Sequence, residues 1–266
     1  MKKLICLVLI VLVVIIGCTK KEKAPKQEQV EGEVIIKIYH TQHVPFSMIL
    51  EDLATLEGVN FNSVLKNRIK PDPKTLPRVA FDLGAGVADA LIAVKAKNKD
   101  MLLNITKELV HYAEILNVSD EFLKLSDSLK IFLDDNDWQK VETKIEDYEN
   151  DVTDELYHLD NFDSVILIQF GGWTRGLQNA SYLIMKNYSG LQITSILANK
   201  SVVNALLHDL PNISDQELLE EQYFQNAIMD VSRIKDIIYS SEDQTYSKLQ
   251  VQELNKLSAQ IVNSFK

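Results

Sequence analysis

Two charged residues stand in stretches otherwise built from small and apolar side chains. Asp89 lies in Val79-Ala80-Phe81-Asp82-Leu83-Gly84-Ala85-Gly86-Val87-Ala88-Asp89-Ala90-Leu91, and Arg175 in Gly171-Gly172-Trp173-Thr174-Arg175-Gly176-Leu177. A charge placed among such residues needs a partner. Either Asp89 and Arg175 form an ion pair that fixes the register of two helices, or they mark a polar spot in a central pocket. Trp173 is then either a core aromatic or a surface on which a ligand stacks. The first stretch also has the look of a strand ending in a glycine-rich turn that opens a helix, which is how nucleotide-binding sheets hold a phosphate. That architecture needs more strands alternating with helices downstream, and Ala88 occupies the place of its third glycine. The downstream chain instead reads as helix after helix, so the glycines are expected at a close crossing of two helices, with Gly84 against Gly172.

Other constellations offer less. His40 and His43 form an H-x-x-H pair beside Pro45, and His111, His158 and His208 are scattered; no metalloprotease-type motif is present. Twelve carboxylates lie between Asp134 and Asp163, against only Lys140 and Lys144. Asp135, Asp137 and Glu146 mimic positions of a calcium loop, but Lys140 stands where that loop requires glycine, so a solvated helix face is expected. No nucleophile motif such as G-x-S-x-G occurs, and no cofactor or metal is implied.

The elements that position Asp89 and Arg175 are helical by spacing. Leu102, Ile105, Leu109, Tyr112 and Leu116 make one apolar stripe; Phe122, Leu125, Leu129 and Phe132 make another. Val141, Ile145, Tyr148, Val152, Leu156 and Leu159 make a third. Breaks are expected at Asn117-Val118-Ser119, Asp134 to Asn136, around Asn161 and at Ser189-Gly190. Ser214 with Glu217 reads as a capping box opening a helix through Ile238, and Tyr246 to Phe265 as the last helix. Upstream, Pro45 opens a short helix, Asn62 to Ile69 suggests another, and Pro71, Pro73 and Pro77 enforce a loop.

A self-match runs through the glycine segments. Phe81-Asp82-Leu83-Gly84-Ala85 and Ile168-Gln169-Phe170-Gly171-Gly172 both read apolar, polar, apolar, glycine, small, at an offset of 87 residues. Each precedes a small-residue-rich helix and then a second helix, Met101 to Leu116 and Leu191 to His208, which reads as a degenerate internal duplication.

The N-terminus sets the address. Lys2 and Lys3 precede an unbroken apolar run from Leu4 to Ile16, too short to span a hydrocarbon core of ~30 Å. The run ends in Ile15-Ile16-Gly17-Cys18, which resembles the lipobox of bacterial lipoproteins. Cys18 is thus the expected lipidation site, and Thr19 after it favours the outer membrane. Cys6 would leave with the signal, so the mature chain would keep no free thiol. Loss of Lys2 and Lys3 takes the formal charge from −10 to −12, which disfavours nucleic acid and anionic head groups as partners.

Three stretches also resemble a group of uncharacterised α-helical envelope lipoproteins of Bacteroidota. They are His43-Val44-Pro45-Phe46, Phe81 to Asp89 and Gly171 to Leu177, and the resemblance covers roughly Pro45 to Leu210. Ala85-Gly86 replaces an aliphatic-aromatic pair of that group, Ile92 an aromatic, and Arg175 stands where an acid is common. The resemblance implies a helical fold and no mechanism.

The expected organisation is a lipoprotein signal peptide over 1–17, a lipidated cysteine and Lys/Glu/Gln-rich tether over 18–33, and a helical domain over 34–266. The fold expected is all-α, an antiparallel bundle of about eight to ten helices. The function expected is a cell-envelope lipoprotein held by its lipid, with a helical domain that binds or scaffolds an envelope protein partner. The alternative is a small-ligand, metal-binding or enzymatic domain using a cleft near Asp89 and Arg175.

Overall fold

The computed structural model describes residues 50–266, except Glu51, Glu57, Asn67, Ile69, Asp120, Glu121 and Leu191. Cys18, the tether, His40 and His43 lie outside the described residues.

The protein is an all-α multi-helix bundle, with no strand among the described residues. The elements are α1 (Asn62–Leu65), α2 (Leu76–Lys95), α3 (Lys99–Ile115), α4 (Leu125–Asp134), α5 (Trp138–His158), α6 (Phe162–Lys186), α7 (Lys200–Asp209), α8 (Gln216–Glu220), α9 (Gln222–Tyr239) and α10 (Lys248–Ser264). No described helix is long and apolar enough to cross a membrane.

Local chemistry sets most boundaries. Pro77 sits in the first turn of α2, where its missing N–H costs nothing. The side chains of Asn98, Asp137, Asn161 and Asn199 accept bonds from the first-turn N–H groups of α3, α5, α6 and α7. Lys97, Asn117, Asn136 and Asp160 take positive φ just past the ends of α2, α3, α4 and α5. Three helix expectations need correction. The stretch from Leu191 to His208 is not one helix but a 3₁₀ segment, Gln192–Leu197, followed by α7. Ser214 does not cap; its N–H and Oγ donate to Asp163, and Asp215 caps α8 through the N–H of Leu218. Glu221 is extended and separates α8 from α9.

The centre of the bundle is α2. Every residue from Val79 to Val94 is buried, so the helix has no solvent face. It packs on α3, α5 and above all α6. Neighbours in the chain reverse direction: α2 and α3 are joined by residues 96–98 alone, and α9 and α10 pair Phe224 with Phe265 and Ser240 with Gln250. The central pair runs parallel, because partners rise together: Phe81 and Gly84 face Ile168, Gly171 and Gly172, and Asp89 faces Arg175 and Asn179.

The close approach is reciprocal. A Cβ on Gly84 would lie 1.8 Å from the Ile168 carbonyl oxygen, and one on Gly171 would lie 1.9 Å from that of Phe81. Gly84 corresponds to Gly171, and Phe81 to Ile168, under the same 87-residue offset seen in the sequence. The two contacts are therefore exchanged by a local two-fold relation along the helix axes. Gly172 plays a lesser part than expected: its own Cβ would meet nothing nearer than Glu149 Oε1 at 3.4 Å. The correspondence stops at this pair. α3 packs on α2, whereas the main later partner of α6 is the C-terminal α10, not α7.

Candidate functional site

Asp82 and Asp89 lie two turns apart on one face of α2. Both are nearly inaccessible, with 2% and 4% of their surface exposed. Their surroundings differ. Asp89 Oδ1 accepts from Arg175 Nε at 2.7 Å and from Asn179 Nδ2 at 3.1 Å, and Oδ2 accepts from Arg68 Nε at 2.9 Å. Arg68 comes from the segment after α1 and also clamps Glu108 of α3, with Nη2 2.5 Å from Oε2. Arg175 Nη1 donates to Gln178 Oε1 at 2.6 Å. The result is a chain, Glu108–Arg68–Asp89–Arg175–Gln178, that ties α2, α3, α6 and the Arg68 segment together.

Electrostatics separate the two aspartates. Burial works against the charge on Asp89, but Arg175 and Arg68, with the bonds from Arg175 and Asn179, hold its pKa below the usual range. Burial likewise opposes the Arg68 charge, and Glu108 and Asp89 more than offset it. Asp82 has no such clamp. Burial pushes its pKa up to about 7, against the pull of Lys266, Arg68 and Arg78. Its Oδ2 has no hydrogen-bond partner.

A small cleft opens beside this chain. Its lining includes Arg68, Asp82, Asp89, Arg175, Val262 and Lys266, and its volume is about 20 Å³. That is room for a water or two, or for a headgroup of similar size. Lys266 follows α10, and its carbonyl accepts from Arg78 Nη1 at 2.6 Å. Arg78 also lies 4.2 Å above the ring of Tyr223. The Phe265 ring, stacked on Phe81 at 3.9 Å, packs this end of the chain onto α2.

Of the residues singled out by sequence, the structure brings Asp89 and Arg175 into direct contact. Trp173 is buried, 8% exposed, and does not line the cleft. The acidic stretch is not uniformly a solvated face. Glu142 of α5 pairs with Lys95 at 2.9 Å, and burial, aided by Glu146, pushes Glu149 up to about 7. Asp135, Asp137 and Glu146 form no loop, because α5 starts at Trp138 with Asp137 as its cap. Among the described residues, no group of three or more His, Cys, Asp or Glu is placed to hold a metal. His111 and His208 stand beside Glu114 and Asp209, with their side chains more than half exposed.

Sequence reasoning missed Arg68, Glu108, Asp82 and Lys266. Asp82 carried a usable signal, being the second acid on the Asp89 face of an otherwise apolar helix. Asn179 carried another, one turn beyond Arg175. Arg68 and Lys266 reach the site from outside the central pair, and nothing local marks them.

No protein-family model, curated protein or solved structure gives a significant match to this chain.

Proposed function

We propose that the chain is a cell-envelope lipoprotein, cleaved before Cys18 and lipidated there, whose helical body is a binding or scaffold module carried on a short tether. The observation that carries this reading is the sequence Ile15-Ile16-Gly17-Cys18 at the end of a thirteen-residue apolar run with a basic start. The tether, rich in Lys, Glu and Gln, has too few apolar residues to pack. The acidic body gains nothing from anionic lipid head groups, so attachment to the outer membrane would fall to the acyl chains. The tight backbone crossing at Gly84 and Gly171 supports a rigid module at the centre.

A second reading, a small-ligand site, is favoured by the cleft on which Asp82, Asp89 and Arg175 converge. It is compatible with the first, because a tethered module can carry such a site.

The anchor is tested by labelling cells with tagged palmitate. The wild-type chain is expected to take up label and to sediment with membranes. Cys18→Ala should abolish both. Undiminished labelling of that variant would remove the proposal.

A further inference from the structure

The cleft holds more hydrogen-bonding capacity than the chain uses. Asp82 is only 2% exposed, yet its Oδ2 has no partner. Buried polar atoms without partners are rare, and one beside a cleft can bond to a group placed there. Arg175 gives Nε to Asp89 and Nη1 to Gln178, which leaves Nη2 to donate. Lys266 Nζ donates to Asn263 Oδ1 at 3.0 Å and has two further N–H groups. Arg175 and Lys266 line the same small space with like charge. Burial, and then repulsion from Arg175, lowers the Lys266 ammonium below its ordinary value.

The charge balance decides what fits. Arg68, Arg175 and Lys266 line the cleft against Asp89 and Asp82. Asp89 and Glu108 between them balance the two arginines, so what faces the space is the Lys266 ammonium and, once Asp82 carries a proton, no opposing charge. A cation is excluded by Lys266 and Arg175. An anion placed between them would relieve their repulsion and accept their spare N–H groups. With a proton on Asp82, its carboxyl becomes a donor to the same anion. Space for one or two water-sized groups suits the two oxygens of a carboxylate better than the four of a phosphate.

We propose that the cleft between α2, α6 and the end of α10 binds the carboxylate of a small monocarboxylic acid, held by Arg175 Nη2, Lys266 Nζ and the Asp82 carboxyl. The proposal rests on the binding-module reading above but is independent of the lipid anchor. The groups facing Asp82 are Arg68, Arg78, Glu108, Tyr112 and Lys266. Because Asp82 gains its proton as pH falls through about 7, binding takes up one proton above that point.

The test is calorimetric titration of the purified full chain in detergent with acetate, and in parallel with inorganic phosphate and tetramethylammonium. Acetate should saturate a single site in the millimolar range, as expected for a few solvent-accessible polar contacts. Its affinity should rise roughly tenfold between pH 8 and pH 6. Lys266→Gln, at an exposed residue just past α10, should weaken acetate at least fivefold with an unchanged melting temperature. Asp82→Asn should keep acetate binding and lose its pH dependence. No saturation by acetate would overturn the proposal, as would tighter binding of phosphate or tetramethylammonium. Equal affinity in wild type and a folded Lys266→Gln would do so too. Failure here with normal palmitate labelling would refute the cleft alone, and the reverse pattern would refute the anchor alone.

Discussion

Alanine at Gly84 or Gly171 should drive the central helices apart, while alanine at Gly172 should not. The new Cβ would stand 1.8 Å from a backbone oxygen at Gly84 and 1.9 Å at Gly171. An ordinary contact needs about 3.5 Å, so α2 and α6 would have to part by roughly 1.5 Å. Neither obstacle is the end of a flexible side chain, so local relaxation cannot absorb the clash. Overpacking in a close-packed core costs ~1–3 kcal/mol, and a backbone collision belongs at the upper end. Helix propensity returns ~1 kcal/mol on replacing a mid-helix glycine by alanine. The net loss is ~2 kcal/mol, a fall in Tm of about 4–8 °C for a body of this size. At Gly172 the nearest atoms are 3.4 and 3.5 Å away, so the propensity gain is largely kept. Its Tm should hold or rise by up to ~4 °C. The double variant Gly84→Ala/Gly171→Ala should lose less than the two single losses together, since one separation relieves both collisions. Thermal melts followed by far-UV circular dichroism read all four proteins. A Gly172→Ala loss equal to that of Gly84→Ala, or a neutral Gly84→Ala, would refute the reciprocal crossing.

Asp89→Asn should be among the most damaging polar substitutions, because it leaves the Arg68 and Arg175 guanidinium groups buried without their shared anion. Breaking one partner of a buried ionic group costs ~3–5 kcal/mol, which thermal melts would show as a Tm fall of about 6–20 °C. Asp82→Asn should act in the opposite direction and with a pH signature. Its folded pKa is raised from 3.8 to about 7, so the stability tied to its proton is complete below about pH 4 and is lost as pH rises through 7. The advantage of asparagine over aspartate in Tm should therefore grow between about pH 4 and pH 7 and level off above. A difference that shrinks over that range would contradict the assigned burial of Asp82. Asn98→Ala should cost ~1 kcal/mol in denaturant melts, because Asn98 caps α3 at 3.1 Å and also donates to Asn62.

Features repeated along one helix were legible in the sequence, and features assembled from several helices were not. The stripes from Leu102 to Leu116 and from Val141 to Leu159 fix α3 and α5 because each buries one face of a 3.6-residue period. Asn117 and Asn136 mark helix ends because Asn tolerates positive φ. The glycine segments mark a close crossing because only a missing Cβ allows it, yet they leave open which glycine bears the contact. That choice depends on helix rotation, which put Gly171 rather than Gly172 at the interface. The break after Glu220 went unseen because Glu221 has no local signature for its extended backbone. Asp89 and Arg175 stood out as charges in apolar surroundings. Arg68 and Lys266 did not, because they lie in polar neighbourhoods and reach the site only through tertiary packing.

Lipid attachment is tested most directly by the intact mass of the protein extracted in detergent from its native membranes. The expected mass is that of a chain starting at Cys18 and carrying a diacylglyceryl group with an amide-linked acyl chain. An unmodified chain, whether it starts at Met1 or at any later residue, would contradict it.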